Sequence, residues 1–477
     1  MKGVRRVPTM AARIDKRSGG ANIAEVIRSL GDALDAFGSV GWLGFTPRPF
    51  LLLPLLRTGC LSVLISGQRA DSGWADRFGI ECVSAEDLTR TRDEAGGRSG
   101  LRHLLPHAGE LLSRWRGRRL ALASYGQWWP EWRAALAGSG VDVHPPPTGT
   151  LPELLVDKTR MRPWLRSIGV QTPADTVTAR LDHRLLHRRF GCPYVVQQPR
   201  GTGGHGTFLV RDEQGLDGIP SGGPWLASQF IPGVPINYHG LATGSGISVA
   251  PGSVQLTDLA EGGAPFGTYS GCDFGALHEL PAATQQQARR AVQRIGDALA
   301  ALGYRGIFGV DLVVAGGTVV VLELNCRMQS STWLLGELEL GAGVLPTKLR
   351  HILEQHGYDT AGELLPKAPG AVQVTLRYDG PAARLTEVPR SGRYALIDSG
   401  LVWRGEGYGL LECGTDEIVL VHLPRPATVL APGAALARLI SHQPLTTPDG
   451  RAFTTRGRQT ASATRSLFGL SEQQHRQ

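Results

Sequence analysis

The chain has 477 residues, with ordinary apolar content and charged residues at 19%. That is enough for two to four domains with a large buried core, and it excludes a disordered or low-complexity protein. A formal charge of +8 comes mostly from arginine, and no nucleic-acid motif accompanies it, so the excess reads as solvated surface rather than a nucleic-acid interface.

The longest apolar run, Phe50 to Leu56, is broken by Pro54 and is far too short to span a bilayer. The basic N-terminus lacks the apolar core and cleavage site of a secretory signal. Six cysteines are scattered at Cys60, Cys82, Cys192, Cys272, Cys326 and Cys413, without metal spacing. A reduced, cytoplasmic setting is the simplest expectation.

Residues 1–30 read as a mobile basic arm. From about Val40 to Pro147 apolar strands, Leu61–Ile65 and Leu120–Ala123, alternate with helical stretches near Leu101–Trp115 and Trp129–Ala137. That pattern predicts a small open α/β domain. The aromatic run Tyr125, Trp128, Trp129 and Trp132 follows a strand end, where such domains place ligand sites; packing of the next helix is the slightly favoured reading. His144-Pro-Pro-Pro147 marks a boundary.

Asp157 to Pro173 predicts a helix that closes at Gly169, with a break or fresh start at Pro163. Lys158 stands near its start, where a cation is electrostatically poor, so a nearby phosphate makes sense of it. Cys192 to Val210 reads as strand, glycine loop, strand. Without a following helix it is neither a Walker loop nor a dinucleotide fingerprint. Gly201, Gly203, Gly204 and Gly206 would let backbone N–H groups crowd around an anion, or simply form a hairpin tip.

Trp225–Gly233 follows as a strand and turn, and Asn237–Gly240 and Ile247–Val249 continue an antiparallel pattern. Ala264–Asp273 reads as an irregular loop whose polar tips, Tyr269 and Asp273, face substrate or water with equal weight. Pro281–Leu302 is an amphipathic helix with Ala288, Val292, Ile295, Leu299 and Leu302 on one face.

Gly306 to Arg327 then reads as a hairpin around Gly-Gly. Alternation puts Phe308, Val310, Leu312 and Val314 with Val320, Leu322 and Leu324 on one face, and Asp311, Glu323 and Asn325 on the other. The faces match if the loop is the three residues Ala315-Gly316-Gly317, which sets Asp311 opposite Val321 and diagonal to Glu323. Two carboxylates and an amide oxygen on one face suit Mg²⁺, a cation of hard oxygen ligands; an ordinary charged sheet face is the bland alternative. After Ala368 short strands follow, at Val372–Tyr378, Tyr394–Asp398, Leu401–Trp403 and Glu417–His422, then a helix near Gly433–Ser441 and a polar tail.

Four elements stand in fixed order: DK…GVQTP, VVQQPRGTGGHGT, ASQFIPG and GVDLVV…LELNCR. Together, over about residues 30–360, they resemble the ATP-grasp superfamily, and the arrangement is most similar to pheganomycin-type peptide ligases. The resemblance implies a mixed α/β and α+β chain. A pre-ATP-grasp α/β domain would occupy 31–150 and an ATP-grasp domain 151–365, split into 151–225 with the glycine flap and 226–365 with the metal site. A β-rich domain at 366–445 and a tail at 446–477 would follow.

It implies ATP and Mg²⁺ as cofactors. Lys158 falls on the first nucleotide lysine and Gly203, Gly204, His205, Gly206 and Thr207 on the phosphate flap. Ser228, Gln229, Phe230 and Ile231 fall on the hinge strand beside adenine, Asp311, Glu323 and Asn325 on the Mg²⁺ ligands, and Arg327 on the catalytic arginine. Gln197 falls where the family carries a second lysine, and Ser228 where it carries an acid. Tyr269, Asp273 and Ser330 are substrate candidates.

The implied reaction joins a small-molecule carboxylate to an amine, an amino acid or peptide, through an acyl phosphate, as in natural-product biosynthesis. Use of a thiol or a carboxylase-type nucleophile, or nucleotide binding without turnover, are the alternatives. No nucleic acid or membrane partner is expected, and a homodimer is left open.

Overall fold

The computed structural model describes residues 42–469, apart from 58–60, 72, 93–97, 125–129, 145–152, 202, 265, 356–358, 361 and 363. The basic arm, Cys60, Tyr125, Trp128, Trp129 and the triproline boundary lie outside the described residues. Trp132 is fully buried with its ring 4.8 Å from Phe45, as the packing reading expects.

Five parallel strands open the described chain, in spatial order 81–84, 61–66, 42–46, 119–124 and 142–144. Alternation with helices puts Leu43, Phe45, Val63, Ile65, Leu120 and Leu122 into one core with Trp132. The helical stretch expected near Leu101–Trp115 is present as a succession of short α and 3-10 helices, Arg98–His103, Leu105–His107, Ala108–Leu111 and Ser113–Trp115.

A four-stranded antiparallel sheet follows, ordered 175–178, 225–229, 194–197 and 207–210. The helix beside it, Lys158–Ser167, runs through Pro163 without the expected break. Pro163 lacks only the N–H that would reach the Thr159 carbonyl. Both ends are anchored. Asp157 accepts from Thr159 N at 2.8 Å, and Val170 N donates to Leu165 O across Gly169. Burial of Met161, Arg162 and Leu165 holds the middle.

The third sheet has eleven strands, in the order 318–325, 306–315, 234–243, 253–256, 271–273, 372–377, 435–441, 417–421, 392–397 and 400–405, with 246–249 paired to 234–243. It runs without interruption across residue 366. Helix Ala282–Ala301 covers it with Ala288, Val292, Ile295 and Leu299; Leu302, expected on that face, is 46% exposed.

The expected helix near Gly433–Ser441 is a central strand, Ala435–Ser441, buried along its whole length. A short apolar run buried on both faces has no strand periodicity to read. Within the expected polar tail, Thr455–Leu467 forms a helix, N-capped by Thr454, whose buried face is Gly457, Thr460, Ala461, Ala463 and Thr464. A packed face built from such small residues looks polar in sequence.

Two arginines, Arg92 buried and Arg57 half-buried, tie the parallel-sheet region to the rest of the described chain. Arg92 binds Glu86 at 2.8 Å and donates to the carbonyls of His422, Leu423 and Ala435. Arg57 binds both Glu337 and Glu412 at 2.6 Å.

Candidate active site

The hairpin 306–325 closes through Gly316-Gly317, with Ala315 opposite Thr318, not through three residues. Both glycines have positive φ, 54° and 79°, as a type I′ turn demands. A two-residue loop would throw the carboxylates onto opposite faces, but a bulge at Leu322 restores the match. Asp311 therefore lies directly opposite Glu323, and Gly309 opposite Asn325. Between bulge and turn the pairing shifts, so Val319 and Val321, rather than Val320 and Leu322, join Phe308, Val310, Leu312, Val314 and Leu324 in the core.

Asp311 Oδ1 accepts from Gln255 Nε2 and Gln329 Nε2, both at 2.7 Å, and Oδ2 from Asn325 Nδ2 at 2.9 Å. Asn325 Oδ1 accepts from Arg327 Nη2 at 2.8 Å. Burial, then the neighbouring Glu323 carboxylate, push the Asp311 carboxyl up to about 6. Opposed carboxylates repel one another, and here an ammonium answers them. Lys158 Nζ lies 2.8 Å from Glu323 Oε1. The donor set is oxygen-rich, anionic and on one sheet face, which fits a hard divalent cation.

The same ammonium donates to Gly201 O at 3.2 Å, and Lys158 N donates to Pro199 O at 2.8 Å. The glycine hairpin is thereby held at the edge of the acidic face. Strands Tyr194–Gln197 and Thr207–Val210 flank it, with Gln197 Nε2 donating to Thr207 Oγ1 at 3.2 Å. Gly204, at φ +89°, sits so close to the 264–273 loop that a Cβ would lie 2.3 Å from Gly267 O. Gly203, His205 and Gly206 complete the tip.

Ser228 is buried in the strand Trp225–Gln229, between Asp175 and Val195. Gln229 is exposed at the strand end, with N–H to Ala174 O, and Phe230 contacts the Phe266 ring at 6.1 Å. Ile231 is half-buried beyond it. Of these four residues, Phe230 thus borders the 264–273 loop.

The substrate candidates are not tips in water. Asp273 is 3% exposed within the strand Gly271–Asp273, its Oδ1 accepting from Ala276 N; burial raises it to about 6. Tyr269 Oη accepts from Gln373 Nε2 at 2.9 Å, and the same amide reaches the Ser330 carbonyl at 3.5 Å. Gln373 therefore joins Tyr269 to Ser330, leaving Asp273 in a structural turn.

Residue patterning missed an amide relay behind the carboxylates. Ser253 Oγ donates to Asn237 Oδ1, and Asn237 Nδ2 donates to Gln329 Oε1 at 3.0 Å and Ser331 Oγ at 2.7 Å. Gln329 in turn holds Asp311. A Cβ on Gly309 would lie 2.0 Å from the Gln329 amide carbon, so only glycine fits opposite Asn325. The available signal was polar residues in apolar strands, Asn237 in PINYHG and Gln255 in SVQL. Next to the relay, His239 is fully buried, its ring pushed down to about 3 by desolvation, and Thr332 Oγ1 lies 3.0 Å from Nε2.

Residues 155–331 match the family described as ATP-grasp domain. The carbamoyl phosphate synthase large chain of Thermomicrobium roseum is 26% identical over 215 residues, 43% of this chain and 19% of that protein. A butirosin acyl-carrier-protein–L-glutamate ligase from Niallia circulans is 33% identical over 76 residues, 15% of this chain and 17% of that one. The matches thus span about a fifth of the length of these curated relatives.

Among solved structures, carboxyaminoimidazole ribonucleotide synthase from Aspergillus clavatus, complexed with ATP, superposes with a TM-score of 0.51 at 12% identity, covering 91% of this chain and 99% of that one. Biotin carboxylase from Campylobacter jejuni gives 0.54 at 12% identity, covering 84% and 86%. At such identities the likeness is one of fold. The lysine, glycine hairpin and acidic strand pair all belong to the segment, residues 155–331, that matches the ATP-grasp domain family.

Proposed function

We propose that this chain is an ATP-dependent carboxylate–amine ligase that forms an amide through an acyl phosphate, joining amino acids or a peptide in natural-product biosynthesis. One observation carries the reading: a single ammonium, Lys158, bonds both the glycine hairpin and Glu323, beside Asp311 and Asn325. A nucleotide triphosphate at that point would meet backbone N–H groups from one side and the acidic face from the other.

Asp311, Glu323 and Asn325 would hold Mg²⁺, which supplies charge neutralisation for phosphate oxygens. Lys158 and Arg327 add fixed positive charge beside it, and the glycine hairpin excludes water from a labile acyl phosphate. A substrate carboxylate oxygen attacks the γ-phosphorus and ADP leaves. The amine nitrogen then attacks the acyl carbon and phosphate leaves. Such chemistry asks for positioning and charge more than for an acid–base pair. Gln373 holds the two substrate candidates Tyr269 and Ser330 together.

The named L-glutamate ligase among the relatives supports an amino acid as one substrate. Incubation with ATP, Mg²⁺ and a panel of amino acids and peptides, followed by phosphate release and product mass, tests the proposal. Amide products establish it. Phosphate release that depends on a thiol or bicarbonate favours the other nucleophiles, and ATP binding without turnover under any acceptor ends it.

A further inference from the structure

We propose a second metal site, for a late first-row divalent cation such as Zn²⁺, formed by His183, His187 and Cys192 in the lid-bearing part of the domain. His183 and His187 are four residues apart in helix His183–Phe190, so they project from one face one turn apart, and their rings lie 5.6 Å apart. The chain turns back after Gly191 and brings Cys192 to the same face, with Sγ 3.0 Å from His187 Nδ1. One ligand atom from each of the three lies within 4.8 Å of the others.

That spread suits one ion. Zinc–nitrogen and zinc–sulfur bonds of about 2.0 and 2.3 Å, at tetrahedral angles, place neighbouring ligand atoms roughly 3.5 Å apart. Modest side-chain rotation therefore converts the present Sγ–Nδ1 contact into shared coordination. Two imidazoles and a thiolate are soft to borderline donors, which select zinc-like ions over Mg²⁺. This site is thus chemically distinct from the oxygen-lined face at Asp311.

The surroundings have the form of a supporting shell. His183 Nδ1 lies 3.1 Å from Tyr194 Oη, and burial, with nearby Cys192 and Asp182, pushes that phenol up to about 12. A neutral hydroxyl bonded to one ring nitrogen orients the imidazole, as partners of metal-ligating histidines do. Arg189, one of two arginines in the last turn, is directed elsewhere, over the Phe190 ring and onto the Asp175 carbonyl. Three protein ligands leave a fourth position for water or an exogenous group.

The site would clasp the end of the helix to the start of strand Tyr194–Gln197, whose far end carries Gln197 and leads into the glycine hairpin. An ion there would stiffen the base of the lid without touching its tip.

Titration of the metal-stripped protein with Co²⁺ tests the assignment without requiring catalysis. One equivalent should produce a thiolate-to-cobalt charge-transfer band and tetrahedral visible bands, both discharged by Zn²⁺ and unaffected by millimolar Mg²⁺. Cys192→Ser should abolish the charge-transfer band, and His187→Ala should weaken binding by roughly tenfold or more. Circular dichroism and melting of the stripped variants should match the parent, since all three side chains lie at or near the surface. Absence of the band, or its persistence in Cys192→Ser, overturns the site. Discharge of the band by Mg²⁺ does so as well. Because no readout involves ATP turnover, failure here and failure of the ligase reading are separable.

Discussion

The Lys158 ammonium lies 2.8 Å from the Glu323 carboxylate while donating to the carbonyl of Gly201, so one side chain spans the lid and the acidic face. It is 7% exposed. Replacing it with methionine keeps the aliphatic stem and removes the charge. Turnover should fall by about a hundredfold or more, with a raised KM for ATP. Steady-state kinetics with varied ATP measures both, and an unchanged KM would separate Lys158 from the nucleotide.

Glu323→Gln should reduce turnover to background and leave the fold intact. The substitution deletes a carboxylate that opposes Asp311 across the strand pair. It also removes an anionic ligand from the proposed Mg²⁺ site. Full activity in this variant would refute the assignment of the acidic face.

The pH dependence of metal binding should report Asp311. Its folded carboxyl is raised from 3.8 to about 6, so the folded state holds the proton more tightly than the unfolded chain. The metal-free protein then loses stability from this group as pH rises between those values, and the loss is complete above about 6. Mg²⁺ needs the ionised form, so the Mg²⁺-induced rise in Tm should grow with pH through about 6 and then level. Melting curves with and without Mg²⁺ across this range check the prediction, with Asp311→Asn as the variant that should show no such step.

Gln197 donates to Thr207 across the two lid strands and brings no charge. Gln197→Lys should tighten ATP binding severalfold, because the new ammonium would sit at the base of the lid. Equilibrium titration with ATP decides it. No change would mean that this face of the strand does not meet the nucleotide.

Arg57 joins three distant parts of the chain through Glu337, which is fully buried, and Glu412. Arg57→Met leaves the Glu337 charge buried without its partner and should cost about 3–5 kcal/mol in denaturant unfolding. Adding Glu337→Leu should restore most of that loss, since the cost lies in the stranded charge rather than in the missing bond.

Much of the site was legible in the linear pattern. Alternation with an assumed three-residue turn placed Asp311, Glu323 and Asn325 on one face; the turn has two residues, and it is the bulge at Leu322 that brings them there. The strand–glycine loop–strand character of 192–210 and the closure at Gly169 followed equally from local chemistry. What alternation cannot reveal is an interruption of itself. The bulge at Leu322 changed which valines reach the core and set the carboxylates directly opposite each other.

Local sequence also determined the helix start at Lys158 and the mostly apolar identity of residues 435–441, interrupted by Arg438. Only tertiary structure decided that the second is a strand, since a segment buried on both faces carries no period. Tertiary structure likewise brought Lys158 to Glu323, Gln255 and Gln329 to Asp311, and Gln373 to Tyr269. Those pairs are far apart in the chain. Their meeting is fixed by how the sheets and covering helices bury their apolar faces, and the polar groups trapped at that junction must find one another.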